Sequence, residues 1–218
     1  MDRNEYDLSG FFFRKSDEPV EDTRGRIPYA RRLPARRIPK TEREKLNYWI
    51  HERVMDFLEP LEAVFEVGMR HYQDGKRGLH AAVHHAYTVS LFRDGYGSAI
   101  DPWMVAISVG RLIMPYSFKL HFNRDSWEIG VSWDPDPPKA YPGEVAGQAD
   151  DRLMLVAYSG WDTGEVFADM DAARRSEGKA CIQVRRDCPT SYFVYVAFRS
   201  ADGSVHSSTT CIDQLEID

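Results

Sequence analysis

Two histidines one helical turn apart have the clearest potential for chemistry. His80 and His84 are spaced i and i+4 in a segment of helical periodicity, so both imidazoles would lie on one helix face. Such a pair can chelate zinc, with His85 and His71 as further imidazoles. A catalytic zinc site needs a third ligand and usually a nearby carboxylate base, and the segment HAAVHH lacks the glutamate of an HExxH motif. We therefore expect surface histidines, no metal and no cofactor.

Aspartates offer two further candidate sites. Asp134, Asp136, Asp150 and Asp151 lie in or beside a proline-rich stretch at 134–151 and could gather around calcium. Calcium needs six to eight oxygen ligands, and the interleaved prolines do not reproduce an EF-hand loop. The stretch therefore predicts an acidic, solvated loop.

Asp101 and Asp162 each lie close to a tryptophan, an arrangement similar to carbohydrate-contacting pairs. The alternative is a turn aspartate beside a tryptophan that anchors the core. We expect the second arrangement at both Trp103 and Trp161.

No nucleophile is set in a recognisable catalytic motif. The sequence has no GxSxG, and no P-loop or GxGxxG motif follows a predicted strand. Cys188 lies near Arg185 and Arg186, which could lower its pKa, but no histidine is near it in sequence. Cys181 and Cys211 alternate with apolar residues, as buried thiols do. We expect no catalytic residue and no enzymatic activity.

Composition and charge narrow the class of protein. The 218 residues are 43% hydrophobic and 28% charged, as in soluble globular proteins. Three cysteines without CxxC spacing indicate reduced thiols. The start MDRNEYDLSG is unlike a signal peptide, and no apolar stretch reaches 18 residues. These features predict a cytoplasmic protein with no membrane span, and leave open its incorporation into a released particle.

Positive charge is concentrated in one segment. Residues 24–45 hold nine Lys and Arg against two Glu, a net +7 in a chain of net charge −6. Prolines at 28, 34 and 39 prevent one continuous helix, so residues 1–40 are predicted to form an extended basic arm. The arm could bind a protein, another copy of the chain, a lipid head group or nucleic acid phosphates, or remain solvated. The candidate partner-binding residues are Arg24, Arg26, Arg31, Arg32, Arg36 and Arg37.

Helical signals follow the arm. Thr41 and Glu44 match a capping box, and apolar residues then recur every three or four positions. Pro60 predicts a kink or break in this helix. A second helix is predicted at 79–91, so residues 41–100 would form an antiparallel helical pair.

The pattern then changes to alternation. The alternating runs are short, and about seven short strands separated by turns are typical of an antiparallel sandwich. Predicted strands cover residues 105–109, 118–122, 127–133, 153–158, 165–168, 180–184, 192–198 and 205–212.

The β region resembles a fibronectin type III domain. Trp133 ends an early strand, as a core tryptophan does in that fold, and Tyr192 is placed like a tyrosine corner. The resemblance implies an α+β protein whose residues 101–218 form a fibronectin type III or immunoglobulin-like β-sandwich.

Several segments, in order, resemble an uncharacterised bacterial family known only as a domain of unknown function. The resemblance covers residues 24–212 and implies a helical front and a β-sandwich back, with no catalytic residues to carry over. The matching segments are FLEPLEAVFEVGMRHY, HAAVHHAYTVSLF, VAISVGRL, VSWDP, DRLMLVAYS and YVAFRSADGSVHSS.

These observations favour a non-enzymatic structural or binding module in a larger assembly, for which a phage-like or secreted particle is one setting. A nucleic-acid-associated protein that binds phosphates through residues 24–45 is the next hypothesis. The sequence is also compatible with a glycan-binding module or a metal-dependent enzyme.

Overall fold

The computed structural model describes residues 41–72, 75–94, 97–185 and 190–217 of this protein, without the side chains of residues 92–94, 97–99 and 190. Cys188 lies outside the described residues. So does the predicted basic arm at 1–40, with Arg24, Arg26, Arg31, Arg32, Arg36 and Arg37.

The first helix begins at the capping box. The Thr41 hydroxyl accepts from the Glu44 backbone N–H at 3.2 Å, and the Glu44 carboxylate accepts from the Thr41 N–H at 3.1 Å. Helix α1 runs over Glu42–Leu58, and a 3-10 turn at Glu59–Leu61 separates it from α2 at Glu62–Gly68. Pro60 lies in that turn. Because it has no N–H to continue the α-helical hydrogen bonds, it interrupts the helix there.

The second predicted helix is present, but its last turn is π-helical. Helix α3 covers Gly78–His85, a π turn follows at Ala86–Ser90, and Leu91 already begins a strand. The Thr88 hydroxyl donates to the carbonyls of His84 and His85, at 3.2 and 2.8 Å, where helical N–H groups would otherwise bond. Helical structure therefore covers Gly78–Ser90, close to the predicted 79–91, and only its last five residues leave the α-helical form.

A short hairpin lies in the region predicted to be helical. Strands β1, Leu91–Asp94, and β2, Gly97–Ile100, pair antiparallel, and a 3-10 turn follows at Pro102–Met104. The alternating run at 105–109 is not a strand. It is an irregular segment in which Ile107 is buried and Ser108 bonds to Thr209 and Ser207.

Seven strands form two antiparallel sheets, so the α+β class is confirmed. One sheet has the order β3-β4-β7 and the other has the order β6-β5-β8-β9. The strands are β3 Phe118–Asn123, β4 Glu128–Trp133, β5 Arg152–Tyr158, β6 Val166–Arg174, β7 Lys179–Gln183, β8 Thr190–Arg199 and β9 Thr210–Ile217.

The last strand begins five residues later than predicted. The Asp202 carboxylate accepts from the hydroxyls of Ser200 and Ser204, at 2.6 and 2.8 Å, and this network closes a tight turn. Beyond it, only an isolated bridge joins His206 to Arg199. Strand β9 therefore starts at Thr210.

Strands β5 and β8 are buried on both faces. Alternate residues such as Leu155 and Val194 face the three-stranded sheet, while Val156 and Tyr195 pack in the core that contains the helices. The helices thus cover the outer face of the four-stranded sheet. Burial on both faces explains why β5 and β8 are nearly continuous apolar runs in the sequence.

Gly68, at the end of α2, lies close against the backbone of Ile107 in the segment 105–109. A Cβ at Gly68 would lie 2.0 Å from the Ile107 carbonyl oxygen, so no larger residue fits without a backbone shift. The position therefore requires glycine for its lack of a side chain.

One buried ion pair fixes the end of the sheets. Arg175 and Asp151 are 0% and 1% exposed, and the Arg175 Nε lies 3.1 Å from the Asp151 Oδ2. The Arg175 Nη2 donates to the Ile113 carbonyl at 2.8 Å, and the Gln148 N–H donates to Asp151 at 2.8 Å. The guanidinium carbon also lies 4.1 Å from the centre of the Phe198 ring. The pair therefore joins three separate chain segments to the sandwich core.

Burial raises the pKa of the Asp151 carboxyl, while the Gln148 N–H and the Arg175 guanidinium oppose that rise. Burial likewise lowers the pKa of Arg175. Each charge is tolerated because the other is present.

We predict that removing one partner is strongly destabilising. Asp151→Ala leaves the Arg175 charge buried and unpaired, so urea unfolding should show a loss of about 3–5 kcal/mol in the free energy of unfolding. Arg175→Met should act similarly, and the double variant should lose clearly less than the sum of both.

The control is Arg185→Ala, which removes an exposed ion pair of 2.6 Å with Glu165. It should cost less than about 1 kcal/mol. Strictly additive effects of Asp151→Ala and Arg175→Met would show that the pair is not energetically coupled.

Candidate functional site

Three exposed tryptophans are the most prominent surface feature of the described residues. Trp49, Trp103 and Trp161 are 43%, 46% and 44% exposed, and Met104 is 48% exposed. Trp49 lies on α1, while Trp103 and Trp161 lie in turns. We call the set Trp49, Arg53, Trp103, Met104 and Trp161 the aromatic surface. The prediction that Trp103 and Trp161 anchor the core is wrong.

Trp161 is held from below by the core. Its ring meets the Phe57 ring edge-on, with centroids 4.7 Å apart, and Phe57 in turn meets Tyr158 at 5.0 Å. The Tyr158 hydroxyl donates to the Phe57 carbonyl at 2.7 Å, and burial raises the pKa of that hydroxyl. The indole therefore rests on Phe57 of α1, which Tyr158 of β5 supports in turn.

Gly160 brings the turn down onto this support. Its φ of +63° is unfavourable for other residues, and an added Cβ would lie 3.4 Å from both Phe57 and Phe193. The turn that carries Trp161 therefore lies directly above these two phenylalanines.

Trp103 is held by Phe193 and by its own turn. The two rings are edge-on, with centroids 6.2 Å apart. The Asp101 carboxylate accepts from the Trp103 N–H at 3.0 Å, and the Tyr195 hydroxyl donates to the Pro102 carbonyl at 2.8 Å. Asp101 is thus a turn residue, as expected, and it fixes the backbone under an exposed indole.

Arg53 lies between two of the tryptophans. Its guanidinium carbon is 5.9 Å from the Trp49 ring centroid and 5.8 Å from that of Trp161. Among the described residues, no carboxylate forms an ion pair with it. Cation–π contacts hold the side chain over the indoles and leave its charge available at the surface.

The arrangement suits contact with another molecule through apolar area and one positive charge. Aromatic residues and arginine are enriched where proteins bind each other. Next to Trp161, the exposed Asp162 carboxylate accepts from the Ser191 hydroxyl at 3.1 Å, which adds a polar edge.

The sequence contained a signal for the two turn tryptophans. They lie in the segments IDPWM and SGWDTG, where glycine and proline interrupt the strand periodicity that would direct a side chain inward. Neither the spacing nor the composition indicated that Arg53 would lie between Trp49 and Trp161.

The histidine pair lies on α3. The His84 Nδ1 is hydrogen-bonded to the Tyr72 hydroxyl at 3.1 Å, and the two rings are in contact. Within the described part of the chain, no group of three His, Cys, Asp or Glu side chains is arranged to hold a metal ion. These residues therefore supply no third ligand for His80 and His84.

The acidic residues of the long loop separate in the structure. Asp151 is buried in its ion pair, whereas Asp134, Asp136 and Asp150 are exposed. Asp150, Asp151 and Asp202 line a groove of about 360 Å³.

The described cysteines are free thiols. Cys181 is exposed, which corrects the expectation of a buried thiol, because it lies on the outward face of the alternating strand β7. Cys211 is partly buried, and burial raises the pKa of its thiol to about 12.

His206 is a buried imidazole that sequence reasoning missed. It is 3% exposed, and its Nδ1 donates to the Gly68 carbonyl at 3.1 Å. The His71 ring lies edge-on to it at 5.2 Å. Burial lowers the pKa of His206, the nearby His71, Arg199 and Arg70 lower it further, and the Gly68 carbonyl opposes them.

None of the described helices is long and apolar enough to cross a membrane.

We predict that acid destabilises the fold through its buried histidines. Burial lowers the pKa values of His51, His85 and His206, so below pH 6.5 the unfolded chain binds more protons than the folded one. The free energy of unfolding should therefore fall as the pH falls below about 6.5.

His206→Asn retains a donor near the Nδ1 position and removes the titrating ring. Urea unfolding at several pH values should then show a shallower dependence of the free energy of unfolding on pH than in the wild-type chain. An unchanged slope in His206→Asn would exclude a contribution from this residue.

Comparison of the chain with family models, with curated proteins and with solved structures finds no match in any of the three. The resemblance to a domain-of-unknown-function family stays a prediction.

Proposed function

We propose that this protein is a non-enzymatic binding module that acts within a larger assembly. The observation that carries the proposal is the aromatic surface, where Arg53 lies by the exposed indoles of Trp49 and Trp161, and the exposed indole of Trp103 packs on Phe193. Exposed apolar patches rimmed by polar groups mark contact sites on soluble proteins.

The support beneath the aromatic surface favours binding. Phe57 and Tyr158 belong to the shared core, and Gly160 and Asp101 fix the turns that carry Trp161 and Trp103. A rigid surface loses little conformational entropy when a partner binds. The free energy gained when these aromatic side chains are buried against a partner is therefore offset little by lost conformational entropy.

We also propose that the two sheets form a fibronectin type III-like sandwich. The three-stranded and four-stranded sheets, with β6 at an edge beside β5, support this assignment. Trp133 and Tyr192 are both buried in the cluster between the sheets, and the Trp133 Nε1 donates to the Arg175 carbonyl at 3.0 Å. The helices on the outer face of the four-stranded sheet are an addition to that fold. The sandwich by itself does not imply one function.

We predict that the aromatic surface is required for a native complex. In extracts of the source cells, the wild-type chain should migrate in a species larger than its 25.1 kDa, detected by immunoblotting of size-exclusion fractions. Trp161→Ala should shift it to the monomer position, because a supported indole is removed from the contact.

The matched control is Tyr141→Ala, which removes an aromatic ring that is 68% exposed in the long loop. It should leave the complex intact. A wild-type chain that migrates only as a monomer would overturn the proposed function.

A second candidate function is binding of nucleic acid through residues 24–45. Their net charge of +7 favours phosphate, whereas residues 41–218 hold 18 Lys and Arg against 27 Asp and Glu, a net −9. The same arginines would also suit an acidic surface of a protein partner.

Fluorescence anisotropy with a DNA duplex tests phosphate binding. If the arm binds phosphate, its affinity for the duplex should fall steeply as the salt concentration rises. Replacing Arg31, Arg32, Arg36 and Arg37 with serine should remove most of that affinity. The slope of log affinity against log salt concentration should become shallower by about 0.9 per lost phosphate contact. Arg124→Ser, in the exposed turn after β3, serves as the control. Unchanged affinity in the four-serine variant would reject nucleic acid binding by the arm.

A further inference from the structure

Helix α1 has an exposed stripe as well as a buried one. The exposed stripe recurs at intervals of three, four, three and four residues, the spacing of helix–helix contact positions. Its members are Leu46, Trp49, Arg53 and Asp56 on α1 and Pro60 in the 3-10 turn that continues it, and all five are exposed. The buried stripe packs in the core and comprises Ile50, Val54, Phe57 and Leu58.

The exposed stripe contains one basic and one acidic residue, Arg53 and Asp56. Within the described residues, neither Arg53 nor Asp56 takes part in a salt bridge. Arg53 is positioned by Trp49 and Trp161, and Asp56 follows it by three residues on the same face. A surface with both charges and apolar residues is complementary to itself.

Charge complementarity selects the direction of such a pairing. A parallel copy of α1 would place Arg53 against Arg53 and Asp56 against Asp56. An antiparallel copy, with the two-fold axis between positions 54 and 55, places each Arg53 opposite Asp56 of the other copy. The same register places Trp49 opposite Pro60, so this apolar contact also occurs twice.

We propose that this stripe binds a second copy of the chain, so that two α1 helices pack antiparallel in a symmetric dimer. The inference rests on the proposed function and names the partner of the α1 side of the aromatic surface. From Leu46 to Pro60 the stripe is about 21 Å long. Because this is short for a standard interface, we expect a dissociation constant on the order of micromolar.

Sedimentation velocity of the full chain over a concentration series tests the dimer. The wild-type chain should pass from monomer to dimer. Arg53→Asp and Asp56→Arg each place like charges opposite one another twice, and each should raise the dissociation constant about tenfold or more. The double exchange restores opposite charges and should return the constant to within about threefold of wild type.

Controls separate the contact from general effects of charge. Arg124→Asp and Asp125→Arg reverse the same two charges in the exposed turn between β3 and β4, and they should leave the dimer unchanged. Trp49→Ala should weaken the dimer without altering net charge. Thermal unfolding of each variant verifies that it is folded.

Two results would overturn the proposed dimer: a wild-type monomer at every concentration, or a dimer unaffected by the single charge reversals. If the purified chain is monomeric but the complex in cell extracts persists, the proposed function stands and the partner is a different protein. If neither the dimer of the purified chain nor the complex in cell extracts is found, both proposals fail.

Discussion

The ion pair between Arg175 and Asp151 is the contact on which the end of the sandwich depends. It joins the long loop to the turn after β6, and through the Ile113 carbonyl it also holds the segment before β3. The Arg175 backbone carbonyl accepts from Trp133, so the same residue supports the central tryptophan of the other sheet. Two charges are removed from water to connect elements that the strand hydrogen bonds alone do not connect.

The aromatic surface derives its order from the interior. Strand β8 contributes Tyr195, whose hydroxyl fixes the Pro102 turn, and Phe193, which lies against Trp103. Both are on the face of β8 that the helices cover. The addition of helices to the four-stranded sheet thus creates the junction at which the exposed indoles are mounted.

Local signals in the sequence identified most elements, because they depend on neighbouring residues. The capping box of Thr41, the break at Pro60 and the alternation in β4 are of this kind. The burial of Arg175 could not be predicted, since nothing nearby distinguishes it from Arg174 and its counter-charge lies 24 residues away. The continuous apolar run of β8 is typical of a strand that is buried on both faces. A two-layer sandwich by itself covers only one face of each sheet.

The hydrogen bonds that join the helices to the sheets span long separations in the chain. The bond from Tyr158 to Phe57 spans 101 residues, and the bond from His206 to Gly68 spans 138. During synthesis, at about 5–20 residues per second, α1 leaves the ribosome several seconds before β8 exists to cover it. Until then the apolar stripe of α1 lacks the part of its core that β8 contributes. Completion of this core therefore depends on late contacts between residues far apart in the chain.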